Sequence, residues 1–206
     1  MQLAIPGTLM LFLENLNLEV LVLMAGLYKD ANVLAAQVIL VALGQVLMTF
    51  PYGLSLASGV TVGHSVGGNR PSDAVANCKM TVWINAALAL IIILVMLYVE
   101  EGLLSIYTAN NTEVKELTKS AYMTIMLAFF FDASQCNLGG SIKAVGKQGY
   151  GSLFSLCCMF LIALPVSYVA SFKLGHGLAG LWIGYGSSAF CLTMLYSTIL
   201  INLDWS

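Results

Sequence analysis

Met80-Thr81-Val82-Trp83-Ile84-Asn85-Ala86-Ala87-Leu88-Ala89-Leu90-Ile91-Ile92-Ile93-Leu94-Val95-Met96-Leu97-Tyr98-Val99 runs for 20 residues without a charged side chain. Coiled as a helix it measures about 30 Å, the thickness of a bilayer's hydrocarbon core. Its apolar side chains point in every direction rather than along one stripe, as lipid requires and water does not. Five further runs of this kind lie around it, at residues 3–27, 33–59, 121–139, 153–172 and 178–201. The expected fold is therefore an all-α membrane protein, a six-transmembrane-helix bundle forming a single transmembrane domain over residues 1–206.

The composition agrees. Of 206 residues, 59% are hydrophobic and 9% charged, which excludes a soluble globular domain, where about 25% are charged. It excludes disorder too, and the eight scattered Lys and Arg leave no basic footprint for nucleic acid. The five cysteines are odd in number, sit mostly inside apolar runs and match no metal spacing, so they read as small hydrophobes and no metal is expected. Basic residues divide equally between the two sets of connections, Arg70, Lys79, Lys143 and Lys147 against Lys29, Lys115, Lys119 and Lys173.

Chemistry concentrates in the first span, at Leu13-Glu14-Asn15-Leu16-Asn17-Leu18-Glu19-Val20. A carboxylate at the centre of a membrane helix costs about 2.5–3.5 kcal/mol on insertion scales, so Glu14, Asn15, Asn17 and Glu19 need a reason to be there. Helical spacing stacks Glu14 on Asn17 and Asn15 on Glu19, a broad polar sector expected to face the bundle interior or a watery cavity. Asp132 is a third intramembrane acid, following Phe129-Phe130-Phe131 and preceding Gln135. With no Lys or Arg inside the spans, the three acids are either protonated or paired with something arriving from outside; a proton, an organic cation or a metal ion all fit. Gln37 and Asn85 either line the same cavity or bond between helices.

Pro51 and Pro165 fall inside the second and fifth spans, where each removes a backbone hydrogen bond; they serve either packing or helix bending. Gly180 and Gly184 form a G-x-x-x-G face for close helix approach. The stretch 100–119 is either a short interfacial helix or a solvated loop. No H-E-x-x-H, G-x-S-x-G or G-x-x-x-x-G-K-[ST] is present, so neither an enzyme nor a nucleotide-driven machine is indicated and no cofactor is expected beyond an ion gradient.

Several stretches, in order, resemble the multidrug and toxic compound extrusion (MATE) transporters, and specifically the C-terminal lobe of a eukaryotic-type member. Leu3-Ala4-Ile5-Pro6 with Leu13-Glu14 and Glu19-Val20 is similar to the family's seventh helix. Leu34-Ala35-Ala36-Gln37 and Pro51-Tyr52-Gly53-Leu54-Ser55, with Val62-Gly63-His64, resemble the eighth helix and the connection after it. Asp132-Ala133-Ser134-Gln135 with Gly139-Gly140 resembles the tenth, while Leu164-Pro165-Val166 and Gly177-Leu178-Ala179-Gly180-Leu181-Trp182 resemble the last two. Departures are visible at Asn15 to Leu18, where the family often has aromatics, at His64 in place of Asn and at Lys143 in place of Arg.

The resemblance implies one lobe of a twelve-helix transporter, with an N-terminal six-helix lobe as partner. It further implies multi-pass insertion and export of organic cations or drugs in exchange for protons at Glu14, Glu19 and Asp132. A sodium-coupled carrier and a non-transporting half-lobe acting as an interaction subunit are the alternative expectations.

Overall fold

The computed structural model describes residues 4–108 and 111–205. Among them run seven helices: α1 (Ala4–Gly26), α2 (Ala31–Gly67), α3 (Pro71–Tyr98), α4 (Glu100–Tyr107), α5 (Thr112–Ala144), α6 (Gln148–Lys173) and α7 (Gly177–Ile201). Leu3, the expected start of the first span, lies outside the described residues. The helices outrun the apolar segments, most of all α2, α3 and α5. Hydropathy marks only the lipid-facing length, whereas backbone hydrogen bonding continues until a turn residue ends it. Asp30 opens α2 by accepting from the Asn32 amide (2.8 Å), Pro71 supplies the first turn of α3, and Asn111 opens α5 by accepting from the amides of Glu113 and Val114.

Five helices, α1, α2, α3, α6 and α7, are long and apolar enough to cross a membrane. The sixth expected crossing, 121–139, lies inside α5, which at 33 residues has ample length but carries Asp132, Ser134, Gln135 and Asn137. Its position explains its polarity: α5 packs along both α2 and α7, touches α3, and is buried on most sides from residue 132 to residue 142. A helix shielded from lipid does not need to be as apolar as one that faces it. Around this axis α3 lies against α2, α6 against α7, and α1 bridges α6 and α2.

The bundle has two ends of different character. One bears the α2–α3 and α5–α6 turns with Arg70, Lys79, Lys143 and Lys147, against Asp73 and Asp204; this is the basic end. The other, the acidic end, bears the remaining turns with Asp30, Glu100, Glu101, Glu113 and Glu116 among its lysines. Between them the apolar core divides in two. Leu21, Leu40, Tyr122, Ile125 and Trp182 belong to a cluster toward the acidic end, and Met10, Val62, Ile142, Leu192 and Tyr196 to one toward the basic end. Glu14 and Asp132 sit near the boundary of the two.

The stretch 100–119 contains a short helix. In α4, Leu104 is buried while Ile106 is exposed, and Glu101 pins the helix to α5 through ion pairs with Lys115 (3.0 Å) and Lys119. The two ammonium groups hold the Glu101 carboxyl down to about 2.

The G-x-x-x-G face packs as its spacing predicts. Gly180 lies on the backbone of Ala170 and Ser171, and Gly184 on Ser167 and the carbonyl of Ala163, so that a β-carbon at either would run into α6. The Ser167 hydroxyl donates to the Leu181 carbonyl across this crossing (2.8 Å). Within α6 the backbone widens to π-helical turns at Cys157–Ala163 and Val169–Lys173, on either side of Pro165, whereas α2 runs unbroken through the buried Pro51.

Candidate functional site

Glu14 projects from the buried face of α1, three residues before the fully buried Asn17 and four after Met10. Asp132 projects from the middle of α5. The two carboxyls are 8% and 7% exposed, and both line one cavity of about 260 Å³. Its walls are Tyr52 and Met48 from α2, Phe129 from α5, and Trp182 and Tyr185 from α7. Met48, Trp182 and Tyr185 lie in the halves of their helices nearer the acidic end, and Glu14, Tyr52, Phe129 and Asp132 just past the midpoints, so the acids form the inner floor of the cavity.

Asp132 is held on both oxygens. Gln135, one turn along α5, donates from Nε2 to Oδ1 (3.0 Å), and the Tyr185 hydroxyl donates to Oδ2 (2.9 Å). Gln135 also lies within reach of Glu14, so one amide stands beside both acids. Tyr185 meets Trp182 edge to face at 5.7 Å, and Trp182 donates from Nε1 to the Gln37 side-chain oxygen (3.1 Å). Both rings are thereby fixed in orientation, with aromatic surface over a pair of carboxyls. Such walls attract cations through charge and ring quadrupole together.

Ion pairs join Arg70 to Asp73 at the basic end and Lys115 and Lys119 to Glu101 at the acidic end, away from both acids. Among the described residues no Lys or Arg forms an ion pair with Glu14 or Asp132. Lys143, three turns along α5 from Asp132, is the base whose field reaches Glu14.

The structure separates the residues that spacing groups together. Glu14, Asn15 and Asp132 line the cavity. Glu19 is brought to neither acid; it is exposed on α1, because five residues turn a helix by about 140° and carry it off the buried face. Asn17 faces inward but outside the cavity lining, and both atoms of its amide lack a partner. Gln37 and Gln135 stand behind the wall, supporting Trp182 and Asp132. Asn85 is buried on α3, away from the cavity. Sequence reasoning did not single out Tyr185 or Phe129. A tyrosine hydroxyl inside a span needs a polar partner, which is the signal that points to Tyr185, and Phe129 lies one turn before Asp132.

The family model described as MatE matches residues 6–169. Multidrug and toxin extrusion protein 1 of Danio rerio is 27% identical over 206 residues, covering 99% of this chain and 34% of the relative. Protein DETOXIFICATION 49 of Arabidopsis thaliana is 27% identical over 207 residues, covering 100% of this chain and 41% of the relative. The chain thus spans about a third to two-fifths of the length of these relatives. In fold it superimposes on the crystal structure of the eukaryotic MATE transporter AtDTX14 with a TM-score of 0.91 at 23% identity, covering 99% of this chain and 46% of that one. With its apolar helices, this makes it a multi-pass integral membrane protein. The match over residues 6–169, the relatives on both sides of it and the shared fold lead to one conclusion: the chain belongs to the MatE family, whose members are transporters and not enzymes.

Proposed function

We propose that this chain forms the cation-binding lobe of a secondary transporter that exports organic cations or drugs in exchange for protons. The observation that carries the reading is the pair Glu14 and Asp132, buried under aromatic walls with no ion pair among the described residues to neutralise them. An ionised pair attracts a cation of one positive charge and apolar body; protonation removes the attraction and releases it. Exchange follows because one cavity cannot hold both forms of cargo at once. The relatives named for multidrug and toxin extrusion support the substrate class, and their greater length supports a second six-helix lobe as partner. Pro165, between its two π-helical turns, is the bending point this reading assigns to α6, and Pro51 the one it assigns to α2.

The test uses the complete transporter in liposomes. Glu14→Gln and Asp132→Asn each keep shape and remove charge, and both are expected to abolish efflux of an organic cation driven by a proton gradient while leaving membrane insertion intact. Efflux at the wild-type rate in Glu14→Gln refutes the assignment. Applying proton and sodium gradients separately distinguishes this mechanism from sodium coupling, in which only the sodium gradient drives efflux. Glu19→Gln is expected to retain efflux, since its side chain lies outside the cavity.

A further inference from the structure

Outside the cavity, buried polar side chains gather where α2, α3 and α5 meet toward the basic end. The Ser58 hydroxyl lies 3.1 Å from that of Thr81 and 2.8 Å from that of Ser141, joining all three helices. Asn85 stands one turn beyond Thr81 on α3, and Asn137 one turn before Ser141 on α5. Because α3 and α5 run in opposite directions, both steps lead the same way, toward the membrane centre. There the two amides are buried, at 2% and 1% exposure. Neither the oxygen nor the nitrogen of Asn137 has a partner, and the oxygen of Asn85 has none.

The seam continues in both directions. Toward the centre, Ser55 donates to the carbonyl of Cys136 (2.7 Å), the residue before Asn137. One turn before Ser55 on the same helix comes Tyr52, which lines the cavity with Glu14 and Asp132. Toward the basic end, Asn77, one turn before Thr81, donates to the hydroxyl of Ser65 (3.0 Å), and Ser65 lies next to the exposed His64. Gly140 lets the helices close here, its α-carbon facing the backbone of Ser55 where no β-carbon fits.

An unpaired amide atom in a dry interior is strongly disfavoured, so these side chains call for an occupant. Its chemistry is constrained by the atoms that lack partners. Two oxygens need donors and one nitrogen needs an acceptor; a metal cation serves the oxygens only, whereas water serves both. Burial on all sides excludes a second protein segment as the occupant.

We infer that the α2–α3–α5 seam holds a file of internal waters around Asn85 and Asn137, and that protons pass along it between the Glu14–Asp132 pair and the basic end. This rests on the exchange reading above and adds a separate route to it: cargo meets the acids from the cavity, protons from the seam. The titratable groups whose charges act with those of the acid pair are Tyr52 from α2, Cys136 and, three turns from Asp132, Lys143 from α5, and Tyr185 and Tyr196 from α7; Cys78 from α3 faces the seam at Ser141 (3.6 Å).

The test again uses the complete transporter in liposomes, with tetraethylammonium as the cation. Asn137→Leu and Asn85→Leu are expected to slow proton-driven efflux on the order of 100-fold, the lower end of the scale on which positioned proton transfer acts. Tetraethylammonium affinity at fixed pH is expected to stay at the wild-type value, and Asn137→Ser to restore most of the rate by keeping a polar group. Where a leucine variant fails to reach the membrane, Thr81→Val, close in shape, carries the test: slowed efflux with unchanged affinity supports the route, and an unchanged rate overturns it. If Glu14→Gln abolishes efflux while Asn137→Leu leaves the rate and its proton dependence untouched, the route fails and the exchange reading stands. If Glu14→Gln has no effect, the exchange reading itself fails. A leucine variant that weakens affinity as much as it slows efflux also overturns the route, since that is the mark of a distorted cavity.

Discussion

Gly184→Ala adds a single methyl group at the place where α7 comes closest to α6. The new β-carbon would stand 2.6 Å from the Ala163 carbonyl oxygen, and closer still to the amide and hydroxyl of Ser167. Ordinary contact begins near 3.4 Å, so even the carbonyl must give way by about 0.8 Å. The colliding atoms are mostly backbone, which no rotamer change can move. Overpacking of this kind costs about 1–3 kcal/mol, while replacing glycine by alanine inside a helix returns about 1 kcal/mol. The net expectation is a loss of up to about 2 kcal/mol, a melting point lowered by up to about 8 °C for a chain of this size. Withdrawal of α7 also stretches the 2.8 Å bond from Ser167 to the Leu181 carbonyl, so the loss lies toward the upper part of that range. The measurement is thermal unfolding in detergent followed by size-exclusion, with Gly44→Ala as reference. Gly44 faces Ile125 at 3.7 Å, an ordinary contact with room for a methyl group. If Gly184→Ala melts no lower than Gly44→Ala, the close crossing is not what holds α6 on α7.

Two further outcomes are expected. Trp182→Phe removes the donor to Gln37 and leaves that buried amide with no partner at either end, at a cost of about 1–3 kcal/mol; adding Gln37→Leu recovers most of the loss, and a double variant no more stable than the single one refutes the pairing. The Glu101 carboxyl is held at about 2, below its ordinary 4.5, so its contribution to docking α4 is complete above 4.5 and drains away as pH falls toward 2, while that of Lys119, whose ammonium is held above its ordinary range, is lost only as pH rises past 10.5. Hydrogen exchange over 100–107 is accordingly faster in Glu101→Gln than in the wild type at about pH 6, with the difference vanishing near pH 2; equal protection at pH 6 refutes it.

Five of the crossings were legible because lipid imposes one rule on them, and the rule is written along a segment such as Met80–Val99. The helix ends were not, because they answer to local hydrogen bonding. Asn111 ends the α4–α5 connection by capping two amides, a feature that hydropathy does not register. The short α4 is a similar case: its charges agree with solvent, and only Leu104 settling into the core and Glu101 reaching two lysines across on α5 make it a helix lying on the bundle. The reduced apolarity of α5 had a structural meaning that sequence alone left open. A polar stretch within a crossing is compatible with a lipid-exposed defect or with a helix shielded by its neighbours, and the packing of α5 between α2 and α7 selects the second.

Glu14 and Asp132 were readable from the sequence as costs without compensation, because the price of a carboxylate in lipid does not depend on which helix it meets. Their neighbours were not readable, since Tyr185 and Asp132 are 53 residues apart and nothing local to either encodes the bond between them. Glu19 shows where the reasoning from cost stops. Its charge is as expensive as that of Glu14, and spacing alone assigns it to the same polar sector with Asn15. The sector, however, is broader than the face α1 turns inward: Met10, Leu13, Glu14, Asn17 and Leu21 are buried, and Asn15 and Glu19 are exposed. Only Glu14 therefore shares its buried surroundings with Asp132, and only there can one guest in the cavity meet two carboxyls at once. Gln135 stands beside both, donating to Asp132 and within reach of Glu14, and no third carboxyl among the described residues lines the cavity.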